Sequence, residues 1–248
     1  MLHFEEPCPY GSQRLSSGDL LLGWECFDSY ESLLPFGWRR SGDVLYRYRC
    51  EGCANCIPLR LSAAVYPSSG RRAKRLRQLN DDLLVTISEA RQEEEHLRLY
   101  DKYARARHGE SGASVEASYK SLLSSPMAAV SEYRNERGTL VGIGFLDMLP
   151  FGLSSVYFAF DPDESKRSLG AYSIYAESEL CLRLGKKYYY LGFWVPGAKK
   201  MDYKADFPPF QLALPSSSGG EENGERPRWE EFRSKEDALR RLAALAHR

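Results

Sequence analysis

Three cysteines, Cys50, Cys53 and Cys56, fall between two segments whose apolar residues recur at every second position, and this arrangement constrains the fold more than any other stretch. Val44, Tyr46 and Tyr48 form one such series and Ile57, Leu59 and Leu61 the other, so the spacing predicts two strands joined by a loop that gathers the thiols. Three soft ligands this close have the density that zinc or an iron–sulfur cluster requires, with Cys8 or Cys26 available as a fourth. Small buried thiols beside a turn are the alternative, because cysteine packs readily as a small hydrophobe. The first ten residues carry two Glu and no apolar core, so they are not a secretory signal. The expectation is therefore a cytosolic protein with thiols rather than disulfides. No apolar run approaches the ~18 to 20 residues a membrane span needs, so no membrane partner is expected.

The rest of the chain organises around that cluster. Asp28-Ser-Tyr-Glu31 has capping-box spacing and predicts a short helix stopped by Pro35 and Gly37. Arg71, Arg72, Lys74, Arg75 and Arg77 follow, a basic linker or exposed helix between two halves. Beyond it the reading is an α/β unit: a helix through Leu97, Tyr100 and Tyr103, then strands near Ala128 to Tyr133, Leu140 to Asp147 and Ser155 to Phe160. From Ser168, as N-cap, Leu169, Tyr172, Ala176, Leu180 and Leu184 recur at helical spacing up to Gly185. A buried strand from Tyr188 to Trp194 and a segment from Met201 to Phe210 close the unit. After Leu214 a Ser-, Gly- and Glu-rich stretch leads to an amphipathic helix with Leu239, Leu242, Ala243 and Ala246 on one stripe. The expected division is 1–70, a hinge at 71–80, 81–214, and a tail at 215–248.

Lys and Arg number 34 against 34 Asp and Glu, so the chain lacks the global basic excess of many nucleic-acid binders and its charge must be read locally. The cations at Arg71 to Arg77 suffice to track a phosphate backbone, or form a solvated face. Arg39-Arg40 follows the aromatic turn Phe36-Gly-Trp38, where guanidinium forks either hold a carboxylate or pin their own domain. Neither a G-x-x-x-x-G-K-[ST] loop nor a G-x-G-x-x-G occurs, which speaks against ATP or dinucleotide chemistry. No Ser-His-Asp or Cys-His set marks a covalent nucleophile. Arg167-Ser-Leu-Gly170-Ala-Tyr172 is similar to a coenzyme A pyrophosphate loop, but Tyr172 is too bulky for close backbone approach.

Several motifs in order resemble the bacterial aspartate/glutamate leucyltransferases, relatives of the arginyl-tRNA-protein transferases. They are Pro7-Cys8-x-Tyr10, Phe36-Gly-Trp-Arg-Arg-Ser-Gly42, Cys50-x-x-Cys-x-x-Cys-x-Pro-Leu-Arg60 and Tyr100-x-Lys-Tyr-x-x-x-Arg-His108, followed by Asp147-x-Leu-Pro150, Phe160-Asp-Pro162, Ser168-Leu-Gly170, Tyr188-Tyr-Tyr-Leu-Gly192 and Met201-x-Tyr-Lys204. The ordered combination, from residue 7 to 212, is specific where no single motif is. The tail is not covered; it would be a stabilising cap or a partner contact.

The resemblance implies an α/β (α+β) fold with an acetyltransferase-like (GNAT-like), mixed-sheet catalytic half behind a smaller cysteine-containing one. It implies transfer of leucine from leucyl-tRNA to the α-amine of proteins starting with Asp or Glu, which marks them for N-degron degradation by a monomeric enzyme that needs no further cofactor. It also assigns the sites: Arg39, Arg40 and Arg60, with Arg107 and His108, toward the acceptor; Tyr203 and Lys204 toward the reacting groups, Lys204 also toward the acceptor's carboxylate; Asp161 as a candidate base. Arg71, Arg72, Lys74, Arg75, Arg77, Ser168 and Gly170 would meet tRNA, and Cys8, Cys50, Cys53 and Cys56 a metal. An aminoacyl ester is already activated, so no ATP is needed and positioning supplies most of the rate. Arginine as donor, an acetyl-CoA-dependent acetyltransferase and a zinc-binding adaptor are the alternative readings. The chain departs from its relatives in Pro9-Tyr10-Gly11 after Cys8 and in the absence of a thiol within Pro196-Gly-Ala-Lys-Lys200.

Overall fold

Period-two burial at both ends of the chain produces strands that meet. The computed structural model describes residues 2–11, 13–64, 70–215 and 227–246, without the side chains of 24–26 and 246; the Ser/Gly/Glu-rich stretch and Cys26 as a fourth ligand lie outside this description. The chain folds into two units, one of residues 1–66 with 190–248 and the other of residues 67–189. This is not the consecutive division read along the sequence. Gln211 and Leu212 pair antiparallel with Arg60 and Leu59, so carboxyl-terminal strands complete a sheet begun near the amino terminus.

In the first unit β1 (Leu2–Pro7) and β2 (Leu15–Leu21) form a hairpin. After α1 (Tyr30–Leu33) come β3 (Arg39–Ser41), β4 (Val44–Tyr48) and β5 (Ile57–Ser62), the last two being the strands expected around the cysteines. Ser29 precedes α1 without a side-chain cap bond, so the capping-box spacing yields one turn of helix only. A 3-10 turn over Leu34–Phe36 then ends at Gly37, whose φ of 83° is the left-handed conformation glycine adopts without strain. One sheet has the order β1-β2-β4-β3.

The second unit opens with α2 (Arg71–Gln78), so the basic segment is a helix: Ala73 and Leu76 are buried and the cations face outward. Next come β6 (Leu84–Glu89), α3 (Glu94–His108), α4 (Ala113–Leu123), β7 (Ala128–Arg134), β8 (Leu140–Met148), β9 (Gly152–Phe160) and α5 (Leu169–Arg183). Strands β6 to β9 run antiparallel in sequence order. Leu99, Tyr100, Val115 and Tyr119 of α3 and α4 pack on Val130, Ile143 and Phe145. Leu169 and Ala176 of α5 pack with Tyr133 and Val141. Neighbouring strand residues point to opposite faces, and the sheet is covered on both.

The chain returns to the first unit through β10 (Tyr188–Trp194), followed by a 3-10 turn over Asp202–Asp206, β11 (Phe210–Leu214), β12 (Arg228–Phe232) and α6 (Lys235–Ala246). There β12, β11, β5 and β10 are successive sheet neighbours. The mixed α/β class expected from the sequence is the class observed. The tail is not a detached appendage: β12 pairs with β11 from Phe210↔Phe232 to Leu214↔Arg228. No helix among the described residues is long and apolar enough to cross a membrane.

Candidate active site

The two loops that the cysteines occupy line one cavity of the first unit, about 280 Å³ in volume, with Tyr10, Tyr48 and residues 195–198 in its wall. Cys8 sits where β1 turns toward β2, its N–H donating to the Arg14 carbonyl at 3.1 Å. Cys50, Cys53 and Cys56 occupy the β4–β5 loop, where the Cys53 N–H closes a turn on the Cys50 carbonyl at 3.2 Å. Burial pushes the Cys56 thiol up to about 12, and the thiols of Cys50, Cys53 and Cys8 push it the same way. The four thiols share the wall of this cavity, but no three of their sulfurs lie within 4.8 Å of one another, so the loops bring candidate ligands for a thiophilic metal together without setting them as a coordination sphere. Among the described residues the ligand atoms that already lie within 4.8 Å of one another are those of Glu93, His96 and Glu132, in the second unit. That group reads as an ion-pair network, since His96 Nε2 meets Glu132 at 2.9 Å and Arg134 Nε takes the other carboxylate oxygen at 2.7 Å.

Beside the cavity lies a pair of inward-turned cations. Among the described residues the Arg39 guanidinium donates to carbonyls: Leu34 at 3.1 Å, Trp38 at 2.6 Å and Gly192 at 2.8 Å. It stacks 4.7 Å from the Phe193 ring centroid, and its Nε is buried without a hydrogen-bond partner. Lys204 Nζ donates to the Leu191 carbonyl at 2.6 Å. Gly192 separates the two, with φ +79°; a Cβ there would lie 3.5 Å from Lys204 Nζ and 3.9 Å from Arg39 Nε. Burial and then the charge of Arg39 bring Lys204 down to about 7. Among the described residues neither cation has a carboxylate within 4.0 Å. Phe193, on which Arg39 stacks, packs against Tyr48 of the cavity wall with ring centroids 6.0 Å apart.

The other expected residues divide. Arg40 is buried, but as the next residue of β3 it turns to the opposite face, where it binds the Gly42 carbonyl at 2.9 Å. Arg60 is built into a network: Nε to Gln211 Oε1 at 2.8 Å, and its guanidinium 4.1 Å from the Trp229 ring centroid. Tyr190, whose hydroxyl donates to Glu31 at 3.2 Å, adjoins it. Tyr203 is 40% exposed, against the Phe207 ring. In the second unit Asp161 receives Lys102 at 2.6 Å and the Asp163 N–H at 2.9 Å. Arg107 lies over Phe160 and His108 reaches the Tyr157 hydroxyl at 2.9 Å. Arg71, Arg72, Lys74 and Arg75 are exposed on α2, while Arg77 pairs with Glu179. Ser168 precedes α5 at φ 55° with no side-chain cap bond, and a Cβ on Gly170 would touch only Phe160 at 3.9 Å.

Three contributors escaped the sequence reading. Gly192, isolated in an apolar strand, carried the ordinary signal of close approach. Trp229 and Lys235 carried none, because they lie past Leu214. Lys235 Nζ binds Asp202 at 2.6 Å and Asp206 at 3.6 Å, which ties α6 to the turn bearing Lys204.

Residues 6–75 match the family model for the N terminus of arginine-tRNA-protein transferase, and residues 95–214 that for its C terminus. The chain is 37% identical over 189 residues to the aspartate/glutamate leucyltransferase of Saccharophagus degradans, covering 75% of this chain and 80% of that one. The enzyme of the same name from Chromohalobacter salexigens is 38% identical, over 73% and 75%. Among solved structures, FemX superposes at a TM-score of 0.44, with 10% identity, over 68% of this chain and 60% of that one. Together the two family matches and the identity to these enzymes across both units show that the chain belongs to the arginine-tRNA-protein transferase family.

Proposed function

We propose that this aminoacyltransferase moves leucine from leucyl-tRNA to the α-amine of proteins beginning with Asp or Glu, creating an N-degron. The donor and acceptors follow the names of its relatives. The observation that carries the acceptor side is the Arg39–Lys204 pair. Buried cations are ordinarily matched by a carboxylate within the same protein. Here the position above Gly192 is left for one supplied from outside, and the acidic side chain of the acceptor's first residue fits it. The neighbouring cavity has room for that residue. Arg60 and Tyr190 tie β5 to β10, and Tyr203 faces outward where the ester would arrive. Exposed cations of α2, with the start of α5, receive tRNA phosphates. Cys8, Cys50, Cys53 and Cys56 would hold zinc or an iron–sulfur cluster that ties the two loops, while transfer itself uses none. We place the enzyme in the cytosol, where charged tRNA is made, acting as a monomer.

The test is transfer from leucyl- and arginyl-tRNA to peptides that differ only in starting with Asp, Glu, Asn or Ala. A charged hydrogen bond is worth about 1.5–3 kcal/mol, so Asn should lose roughly 10- to 150-fold in kcat/KM against Asp. Equal use of Asn and Asp would refute the cationic pocket, and equal use of arginyl-tRNA would refute the donor.

A further inference from the structure

The clamp holds two cations of different character. A guanidinium keeps its proton throughout the working range, whereas a lysine amine surrenders one when buried beside another cation. Lys204 has a single described polar partner, the Leu191 carbonyl, which an uncharged amine can also satisfy. The charged groups around it are few. Arg39 of β3 lies across Gly192. Asp202 and Asp206 of its own turn are directed to Lys235, β10 contributes backbone, and Tyr10, Tyr30, Tyr46 and Tyr190 surround Arg39 rather than Lys204. Nothing in this surrounding holds an ammonium in place before a carboxylate arrives.

The reaction needs the reverse of what an acceptor brings. An α-amine of pKa ~8 reaches the enzyme mostly as an ammonium and must lose a proton before it can attack. In an Asp-starting acceptor the carboxylate lies only a short side chain from that nitrogen, so a group bound to the carboxylate is within reach of the α-amine.

Resting on the reading of Arg39 and Lys204 as the acceptor clamp, we propose that Lys204 is also the base: it enters the complex as a neutral amine, takes a proton from the acceptor's α-ammonium, and becomes the ammonium that pairs with the acceptor's acidic side chain. The freed amine attacks the aminoacyl ester carbon. The new C–N bond forms, the ester C–O bond breaks, and the proton displaced from the attacking nitrogen leaves on the ribose oxygen of the tRNA. Lys204 returns its proton to water when the product departs. Acceptor choice and nucleophile activation are thus one event, because without a carboxylate there is nothing to hold the proton on Lys204.

Calorimetry without tRNA tests this at pH 7.5 in two buffers of different ionisation enthalpy, using an Asp-starting peptide, its Nα-acetylated form and an Asn-starting form. Near pH 7.5 Lys204 is mostly neutral in the free enzyme, so the acetylated peptide should draw about 0.8 proton from the buffer on binding. The free-amine peptide supplies its own proton and should draw close to none, and Lys204→Met should abolish the uptake with the acetylated peptide. Equal proton uptake by the two Asp peptides in the wild type, whatever becomes of the variant, would overturn Lys204 as base while leaving the clamp standing. Equal binding of the Asp and Asn peptides would overturn the clamp itself, and the proposal with it.

Discussion

Replacing Lys235 by Met asks whether the carboxyl-terminal tail serves the site or merely covers it. Lys235 Nζ stands 2.6 Å from Asp202 Oδ2, with a quarter to a third of each side chain exposed. Asp202 also accepts from Trp194 Nε1 and the Gly197 N–H, both at 3.2 Å, so its loop position survives the loss of Lys235. A charged hydrogen bond contributes about 1.5–3 kcal/mol when shielded, and partial exposure reduces this to roughly 1–2 kcal/mol. For a chain of this size that corresponds to a Tm lower by about 2–8 °C. The functional effect is separate. Asp202 keeps its Trp194 and Gly197 partners, so Asp206, released from Lys235 and two residues from Lys204, is the carboxylate whose pairing with Lys204 would occupy the clamp from within. Displacing such a pair at about 1.4 kcal/mol costs tenfold in KM for Asp-starting peptides. The assay is KM and kcat for leucyl transfer beside a thermal melt. Arg241→Met is the control: Arg241 binds Glu230 through two 2.8 Å contacts and anchors α6 to β12 rather than to the turn bearing Lys204. It should lower Tm and leave KM unchanged, and Asp206→Asn combined with Lys235→Met should recover much of the KM. If Lys235→Met moved Tm alone, as the control does, the tail would be a cap and the positioning argument would fail.

Other consequences follow from single groups. Glu177 is enclosed by the hydroxyls of Ser131, Tyr133 and Tyr189, and burial raises it to about 7 from an ordinary 4.5. The folded state therefore holds a proton that the unfolded chain releases, and stability from this group, complete below about pH 4.5, declines by about 3 kcal/mol as pH rises through 7. Urea midpoints of wild type and Glu177→Gln should lie closest at acid pH and separate as pH rises through 7, the wild type falling relative to the variant; parallel pH curves would disprove the assignment. Gly192→Ala should cost about 1–2 kcal/mol of stability for its left-handed φ and, by filling the space between Arg39 and Lys204, abolish discrimination of Asp from Asn in transfer. Changing Arg71, Lys74 and Arg75 to Gln leaves the buried Ala73 and Leu76 in place and should lower the salt dependence of tRNA binding, the slope of log K on log salt falling by about 2 to 3. An unchanged slope would remove α2 from the tRNA surface.

The strands were legible where alternation or an unbroken apolar run left little choice. Ile57 to Leu61 and Tyr188 to Trp194 are strands within a residue of the spans their patterns suggested. The basic segment was harder, because only Ala73 and Leu76 mark its buried face and a helix of eight residues offers few positions to read. Residues whose meaning depends on partners distant in sequence could not be read at all. Arg39 and Arg40 look equivalent as neighbours, yet one residue of strand separates a carbonyl cradle beside Lys204 from a contact with Gly42.

The same distance explains why charge was the least informative part of the sequence. A balance of 34 against 34 hides which charges are already answered. Asp161 is spoken for by Lys102, Asp82 by Arg167, and Asp202 by Lys235. Each such pair is neutral to an approaching substrate and says little about function. Arg39 differs because its partners are carbonyls, which satisfy N–H groups without cancelling charge. A positive field therefore remains in a buried place, where it acts at full strength on a carboxylate and where water cannot compete for it. An acceptor's acidic first residue is then selected by a charge the fold leaves unanswered rather than by the chain's net charge.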